Sequence, residues 1–142
     1  MRPLGPIVFQ EHPSQAEIDE LKNAIDAFNY DATDFRDGRM LTAFLRDDAD
    51  ALVAGISGFT WGGYAKVEYL WIAAPYRRTG LGRRLLGAAE DEARARGCDL
   101  IVLDTHDFQA PGFYRKLGYE ACGRVEGTPR GSGQTWFKKS LA

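Results

Sequence analysis

An apolar run, Val67-Glu68-Tyr69-Leu70-Trp71-Ile72-Ala73, leads into a turn carrying two glycines, then a long amphipathic segment, then a second apolar run, Leu100-Ile101-Val102-Leu103. No other stretch narrows the possible folds as far. Leu81, Leu85, Ala89 and Ala93 recur at helical spacing, so Leu81 to Arg96 is predicted to be a helix, and Gly97 is suited to end it. Leu100 to Leu103 is apolar on both faces, as a buried parallel strand requires. Strand, helix and strand then form one right-handed crossover unit. The turn between them, Arg77-Arg78-Thr79-Gly80-Leu81-Gly82, opens the helix. Backbone N–H groups at a helix start lack internal partners and carry partial positive charge. Glycines let an anion approach that backbone with no Cβ in the way. A phosphorylated ligand is the expected occupant.

The flanking segments fix the rest of the layout. Ile7 to Glu11 reads as a short first strand. Ser14-Gln15-Ala16-Glu17 is a capping-box pattern, and Ile18, Leu21, Ile25 and Phe28 continue it as a helix from Ser14 to about Asn29. Tyr30 to Arg39 is polar and Asp-rich, a loop or broken helix. Met40–Arg46, Ala51–Thr60 and Tyr64–Ala73 then form a meander of three strands, separated by Asp47-Asp48-Ala49-Asp50 and Trp61-Gly62-Gly63. Glu90 with Arg94, and Glu92 with Arg96, stand at the spacing of helical ion pairs. Pro111 starts a short helix that Gly118 ends, and Tyr119–Val125 with Thr135–Lys139 make a closing hairpin. The fold class is α/β: a mixed central sheet of six to seven strands with flanking helices, in one domain spanning 1–142.

Composition removes several classes of function. The chain has 142 residues, 44% hydrophobic and 27% charged, with a net charge of -2, as in an ordinary globular domain. No basic stripe interleaves with aromatics, so nucleic acid is not an expected partner. No apolar run approaches the roughly 18 residues of a membrane helix. Met1 to Pro6 has no signal-peptide core, which makes the cytoplasm the expected location. Cys98, Cys122, His12 and His106 have no metal-ligand spacing, and the two cysteines are expected to be buried thiols. The dinucleotide fingerprint fails because Leu85 stands where its third glycine belongs, and no Gly-Lys-Ser/Thr follows to complete a Walker motif.

With these residues in view, the chain resembles the GNAT superfamily of acyl-CoA N-acyltransferases. The family's pyrophosphate signature is Arg/Gln-x-x-Gly-x-Gly/Ala after an apolar strand that ends near a proline. Leu70 to Gly82, with Pro75 in it, matches that pattern throughout. A second family block, Ala-x-x-Phe-Tyr-x-x-x-Gly-Phe/Tyr, is matched by Ala110-Pro111-Gly112-Phe113-Tyr114-Arg115-Lys116-Leu117-Gly118-Tyr119. The resemblance implies acetyl-CoA as co-substrate, no metal, and transfer of the acetyl group to a primary amine of a small molecule or peptide within a ternary complex. A non-catalytic acyl-CoA-binding module is the alternative from another class, and a nucleotide-binding α/β protein a more distant one. A homodimer is compatible with exposed closing strands.

Residue by residue, the resemblance implies that backbone groups around Leu70, Trp71 and Ile72 hold the pantetheine arm. Arg77, Arg78, Thr79, Gly80, Leu81, Gly82 and Arg83 then hold the pyrophosphate. Tyr114 is the implied general acid toward the CoA thiolate. A phenol of pKa ~10 protonates a thiol of pKa ~8.5 only with help from geometry or environment. Glu68 shares its strand face with Leu70 and Ile72, and a carboxylate in that company is costly unless it faces a cleft or a partner. The family often uses a Glu on this strand as general base. His106 is an alternative base, and Asp104 an orienting group or amine ligand. Where the family often has Asn holding the cofactor, three residues before the Ala of the second block, this chain has Asp107. Phe28 and Tyr30, in an acidic neighbourhood with Asp31 and Asp34, are the implied substrate wall and point to a cationic acceptor.

Overall fold

The computed structural model describes residues 1–142. In chain order it contains α1 (Gln15–Thr33), β1 (Arg39–Arg46), β2 (Leu52–Trp61), β3 (Tyr64–Ile72), α2 (Leu81–Ala95), β4 (Leu100–His106), α3 (Pro111–Lys116), β5 (Glu120–Glu126) and β6 (Gly133–Ser140), with a single 3-10 turn at Ala74–Tyr76. The chain divides into two compact units, Met1–Phe35 and Arg36–Ala142.

In the Met1–Phe35 unit the capping box forms as the sequence predicts. Glu17 N–H donates to Ser14 Oγ at 3.1 Å, and Ser14 N–H donates to the Glu17 carboxylate at 3.2 Å. Those bonds hold the Glu17 carboxyl below its ordinary pKa. The helix runs past the predicted Asn29 to Thr33, because no glycine or proline interrupts it. It ends where Asp34 turns left-handed at φ 63°, its N–H donating to Tyr30 O at 2.7 Å. Asp tolerates that conformation better than most residues. The strand expected at Ile7–Glu11 is absent. A strand exists only by pairing, and Pro3, Pro6 and Pro13 remove N–H donors around this segment.

The Arg36–Ala142 unit holds one six-stranded sheet in the order β1-β2-β3-β4-β6-β5. β3 and β4 are parallel, and the other neighbours are antiparallel. Helix α2 buries Leu85, Leu86, Ala89 and Ala93 on that sheet, while Leu81 stays half-buried. They join Leu41, Ile56, Val67, Ile101, Leu103 and Phe137 in a single core. Burying a side chain of this size contributes about 1.5–3 kcal/mol. Phe137, Leu86, Ile101 and Leu103 are the largest side chains wholly removed from water.

Two expectations need correction. Glu92 pairs with Arg96 at 3.0 Å, but Glu90 does not pair with Arg94. Its buried carboxylate accepts instead from Lys139 Nζ at 2.9 Å and from Tyr119 Oη at 2.8 Å, while Arg94 reaches Asp91 and the Leu141 carbonyl. Glu90 lies on the core side of α2, where a buried charge needs fixed partners. Cys98 is buried as expected, but Cys122 is exposed on the edge strand β5. No group of three His, Cys, Asp or Glu side chains is placed to hold a metal ion, and no helix is long and apolar enough to cross a membrane.

Candidate functional site

The site begins at a fault in the sheet. Along the β2–β3 ladder Ser57 faces Tyr69 and the next residue, Gly58, faces Val67, so Glu68 has no partner across the ladder. Gly58 is what lets the strands close around this bulge: a Cβ there would stand 1.8 Å from the Lys66 carbonyl oxygen. A bulge bends its strand and increases the local twist. Accordingly β3 and β4 pair only through Tyr64–Leu100, Ala65–Ile101 and Lys66–Val102. Past that rung the two strands part, and the segments from Val67 and from Leu103 onward line opposite walls of a cleft of about 1120 Å³. Backbone groups that a parallel sheet would pair are left open to a ligand. Leu70, Trp71 and Ile72 lie on this wall. The Ile72 carbonyl already accepts from Arg77 Nε at 2.9 Å, which fastens the following loop to the strand.

The loop has the form that anion binding needs. Arg78 is left-handed at φ 60° and Gly80 at φ 83°. The first α2 bond runs from Arg84 N–H to the Gly80 carbonyl, so the amides of Leu81, Gly82 and Arg83 are those a helix start leaves unpaired. Thr79 Oγ donates to Tyr76 O at 2.5 Å and tightens the turn. A Cβ on Gly80 would meet nothing, so its glycine serves the backbone conformation; one on Gly82 would touch the Phe113 ring at 3.4 Å. Arg77, Arg78, Gly80, Gly82 and Arg83 line the cleft.

The second-block residues follow, with Phe113 beside Gly82 of the loop. Tyr114 is 8% exposed and packs edge-on to Phe113 and Tyr119. Its hydroxyl makes no hydrogen bond within the chain, yet the residue lines the cleft. Burial first, and then the nearby Asp104 carboxylate, push the phenol above its ordinary pKa, so it stays protonated. Asp104 accepts a hydrogen bond from Gln134 Nε2 on β6. Since Lys66 and Val102 form the last rung, Glu68 and Asp104 are each two residues past it, at the end of the cleft that strand pairing closes, Asp104 half-buried and Glu68 exposed. Acidic groups thus gather at the closed end and basic groups at the loop end.

His106 and Asp107 part company at the end of β4. His106 lines the cleft, with its ring stacked on Phe108 at 5.2 Å between centroids and 7° between planes. Asp107 points to β5 and β6. Its carboxylate takes both Arg124 Nη groups at 2.8 Å and the Gly133 N–H at 3.0 Å. The Arg124 hydrogen bonds hold the Asp107 carboxyl below the ordinary aspartate range. Asp107 is therefore absent from the cleft wall, and the polar side chain that turns back at this corner is Gln109, accepting from His106 N–H at 2.8 Å. Phe28 and Tyr30 sit on the last turns of α1, in the Met1–Phe35 unit.

Several residues at the site carry no sequence signal of their own. Gly58 matters only through a backbone contact across a ladder, and Gln134 and Thr128 reach the site from a hairpin distant in sequence. Phe113 belongs to the second block, but its place beside Gly82 has no signal in the sequence.

Comparison with known proteins identifies the family and the fold. The model of the acetyltransferase (GNAT) family matches residues 7–119. The acetyltransferase Atu2258 of Agrobacterium fabrum is 29% identical over 119 residues, covering 84% of this chain and 87% of that protein. Blasticidin-S acetyltransferase of Streptomyces morookaense is 40% identical over 81 residues, 56% of this chain and 60% of that one. Among solved structures, an acetyltransferase from Bacillus cereus superposes with a TM-score of 0.77 at 30% identity, covering 94% of this chain and 97% of that one.

Proposed function

Because the chain belongs to the acetyltransferase (GNAT) family, we propose that it transfers the acetyl group of acetyl-CoA to a primary amine, within a ternary complex. The observation that carries this reading is the polarity of one cleft: open amides and arginines at its loop end, a protonated phenol and two carboxylates at its closed end. The residues fit the co-substrate by the chemistry of their donors. The amides from Leu81 to Arg83, with Arg77, Arg78 and Arg83, suit a pyrophosphate. The unpaired edge of β3 at Leu70 and Trp71 suits the amides of a pantetheine arm. Bound there, acetyl-CoA supplies an activated acyl group and a thiolate leaving group.

The chain's own groups account for the proton traffic. Glu68 and Asp104 attract an ammonium to the closed end. An alkylammonium of pKa ~10 lies roughly three pH units from its nucleophilic form at pH 7, so a nearby acceptor must take its proton. In this reading Glu68 holds the cation while that proton is lost. Tyr114 lines the cleft with an unengaged hydroxyl, which supports it as the donor for the departing sulfur. Its raised pKa keeps it protonated, and because a thiolate is the weaker base, the transfer relies on the hydroxyl standing beside the sulfur as negative charge develops there. The acidic end favours a cationic acceptor, and the similarity to a blasticidin-S acetyltransferase supports a small basic molecule of that kind.

The test is release of CoA from acetyl-CoA in the presence of a panel of amines that includes spermidine, blasticidin S, free amino acids and an N-terminal peptide. Amine-dependent release supports the reading. Tight CoA binding with no release across the panel would instead mark a non-catalytic acyl-CoA-binding module.

A further inference from the structure

We propose that His106 is the base that removes the amine proton, and that the main-chain carbonyl of Thr128, in the β5–β6 connection, sets it up for that task. The inference rests on the acetyl-transfer reading above and names a catalytic group within it.

His106 Nδ1 lies 2.7 Å from the Thr128 carbonyl oxygen. A carbonyl only accepts, so Nδ1 must carry the proton of that bond. In the neutral ring the other nitrogen, Nε2, then holds the lone pair. The rest of the residue is fixed as well. Its N–H donates to Gln109 Oε1 at 2.8 Å, its carbonyl accepts from Gln109 N–H at 2.9 Å, and its ring lies flat on Phe108. The adjoining Asp107 ties the same corner to β6 from both sides: Asp107 N–H donates to Gly133 O at 2.9 Å, and Gly133 N–H donates to the Asp107 carboxylate at 3.0 Å.

The other acid–base groups of the cleft are less suited. Asp104 is engaged by Gln134. Glu68 lies on the unpaired residue of a bulge with no hydrogen bond to orient it. Tyr114 is already needed as the acid. A base acts through a lone pair at a defined place, and only His106 has both its orientation and its tautomer determined by the fold. The register sets His106 two residues beyond Asp104, so an ammonium held by Asp104 and Glu68 has this ring as its neighbour on the β4 wall.

The step balances as follows. The ammonium N–H bond breaks and an Nε2–H bond forms, giving a neutral amine and an imidazolium still bonded to Thr128. The amine lone pair forms the C–N bond, and the C–S pair leaves on sulfur, which takes the Tyr114 hydroxyl proton. Of the two protons left on nitrogen, one stays in the amide and the other, through solvent, restores Tyr114. The imidazolium returns its proton to solvent.

The chain has two histidines, so ¹⁵N-histidine spectra contain two rings, and His12→Gln identifies the His106 signals. At pH 8 His106 is expected as the Nδ1–H form. The Nε2–H form would overturn the positioning by Thr128. In turnover, His106→Asn is the informative variant: its amide can still donate to Thr128 O but offers no base at the Nε2 position. It should retain CoA binding and lose about a hundredfold or more in kcat with spermidine, or with whichever panel amine the wild type uses best. His106→Ala should regain tens-fold of its lost rate with added imidazole, which a merely structural role would not give. Near-wild-type turnover of His106→Asn, or no rescue of His106→Ala, overturns the base assignment. A wild-type protein that releases no CoA with any amine defeats the acetyl-transfer reading instead, and the base role with it.

Discussion

At the scale of single residues, two buried tyrosines five positions apart have different surroundings. Tyr114 lines the cleft and its hydroxyl has no hydrogen-bond partner in the chain, so Tyr114→Phe is expected to leave folding and CoA affinity near wild type. Turnover in the CoA-release assay should fall about a hundredfold, the lower end of what a positioned acid supplies. Tyr119 is 3% exposed, and its hydroxyl donates to Glu90 at 2.8 Å. Tyr119→Phe leaves that buried carboxylate short of a donor and should cost about 1–3 kcal/mol in urea unfolding. Burial and then the Glu90 bond raise the Tyr119 pKa. The neutral phenol is the form the fold favours, so its contribution is complete below the unfolded value of about 10 and declines as pH rises beyond it. Tyr119→Phe should therefore lack part of the wild type's loss of stability at alkaline pH. The sequence assigns Tyr114 an expected role only through its resemblance to the family, and the element order brings the segment from Asp104 to Gln109 to the same sheet edge as the phosphate loop. It does not separate His106 from Asp107, because their divergence depends on Arg124 and Thr128, which β-strand pairing brings in from the closing hairpin.

At the scale of elements, the strand–loop–helix–strand unit was legible because periodicity and glycine placement are local. β3, α2 and β4 begin where the pattern puts them, and Gly80 takes the left-handed conformation that a Cβ would resist. The expected first strand was not legible in the same way: Ile7 to Glu11 has strand-like composition, but a strand depends on what lies beside it. The same limit hid the bulge. Nothing local marks Glu68 as the extra residue, since the cause is the fit of Gly58 against the Lys66 carbonyl. Gly58→Ala is expected to force β2 away from β3, straighten the register, and close part of the cleft. CoA affinity, measured by calorimetry, should fall at least tenfold. Unchanged affinity would mean that the bulge is not what opens the site.

For the whole molecule, the two cysteines report burial directly. The thiol of Cys98 is buried, and that burial pushes its pKa up, while Cys122 is exposed. Because the thiolate is the reactive form, a thiol reagent should label one cysteine per native chain quickly and the second only on unfolding. Composition predicts two buried thiols because it averages over sheets; it cannot know that Cys122 falls on an edge strand. The three rungs between β3 and β4 have a wider consequence. They leave the sheet as two leaves, β1-β2-β3 and β4-β6-β5, stitched along a short seam. A ligand lying in the opening replaces the missing stitches, so occupancy and mechanical integrity are linked. At a hundred times its dissociation constant, CoA should add about 2.7 kcal/mol to unfolding. Hydrogen exchange should slow most at Leu70 to Ile72 and along the far half of β4, where β3 and β4 do not pair with each other.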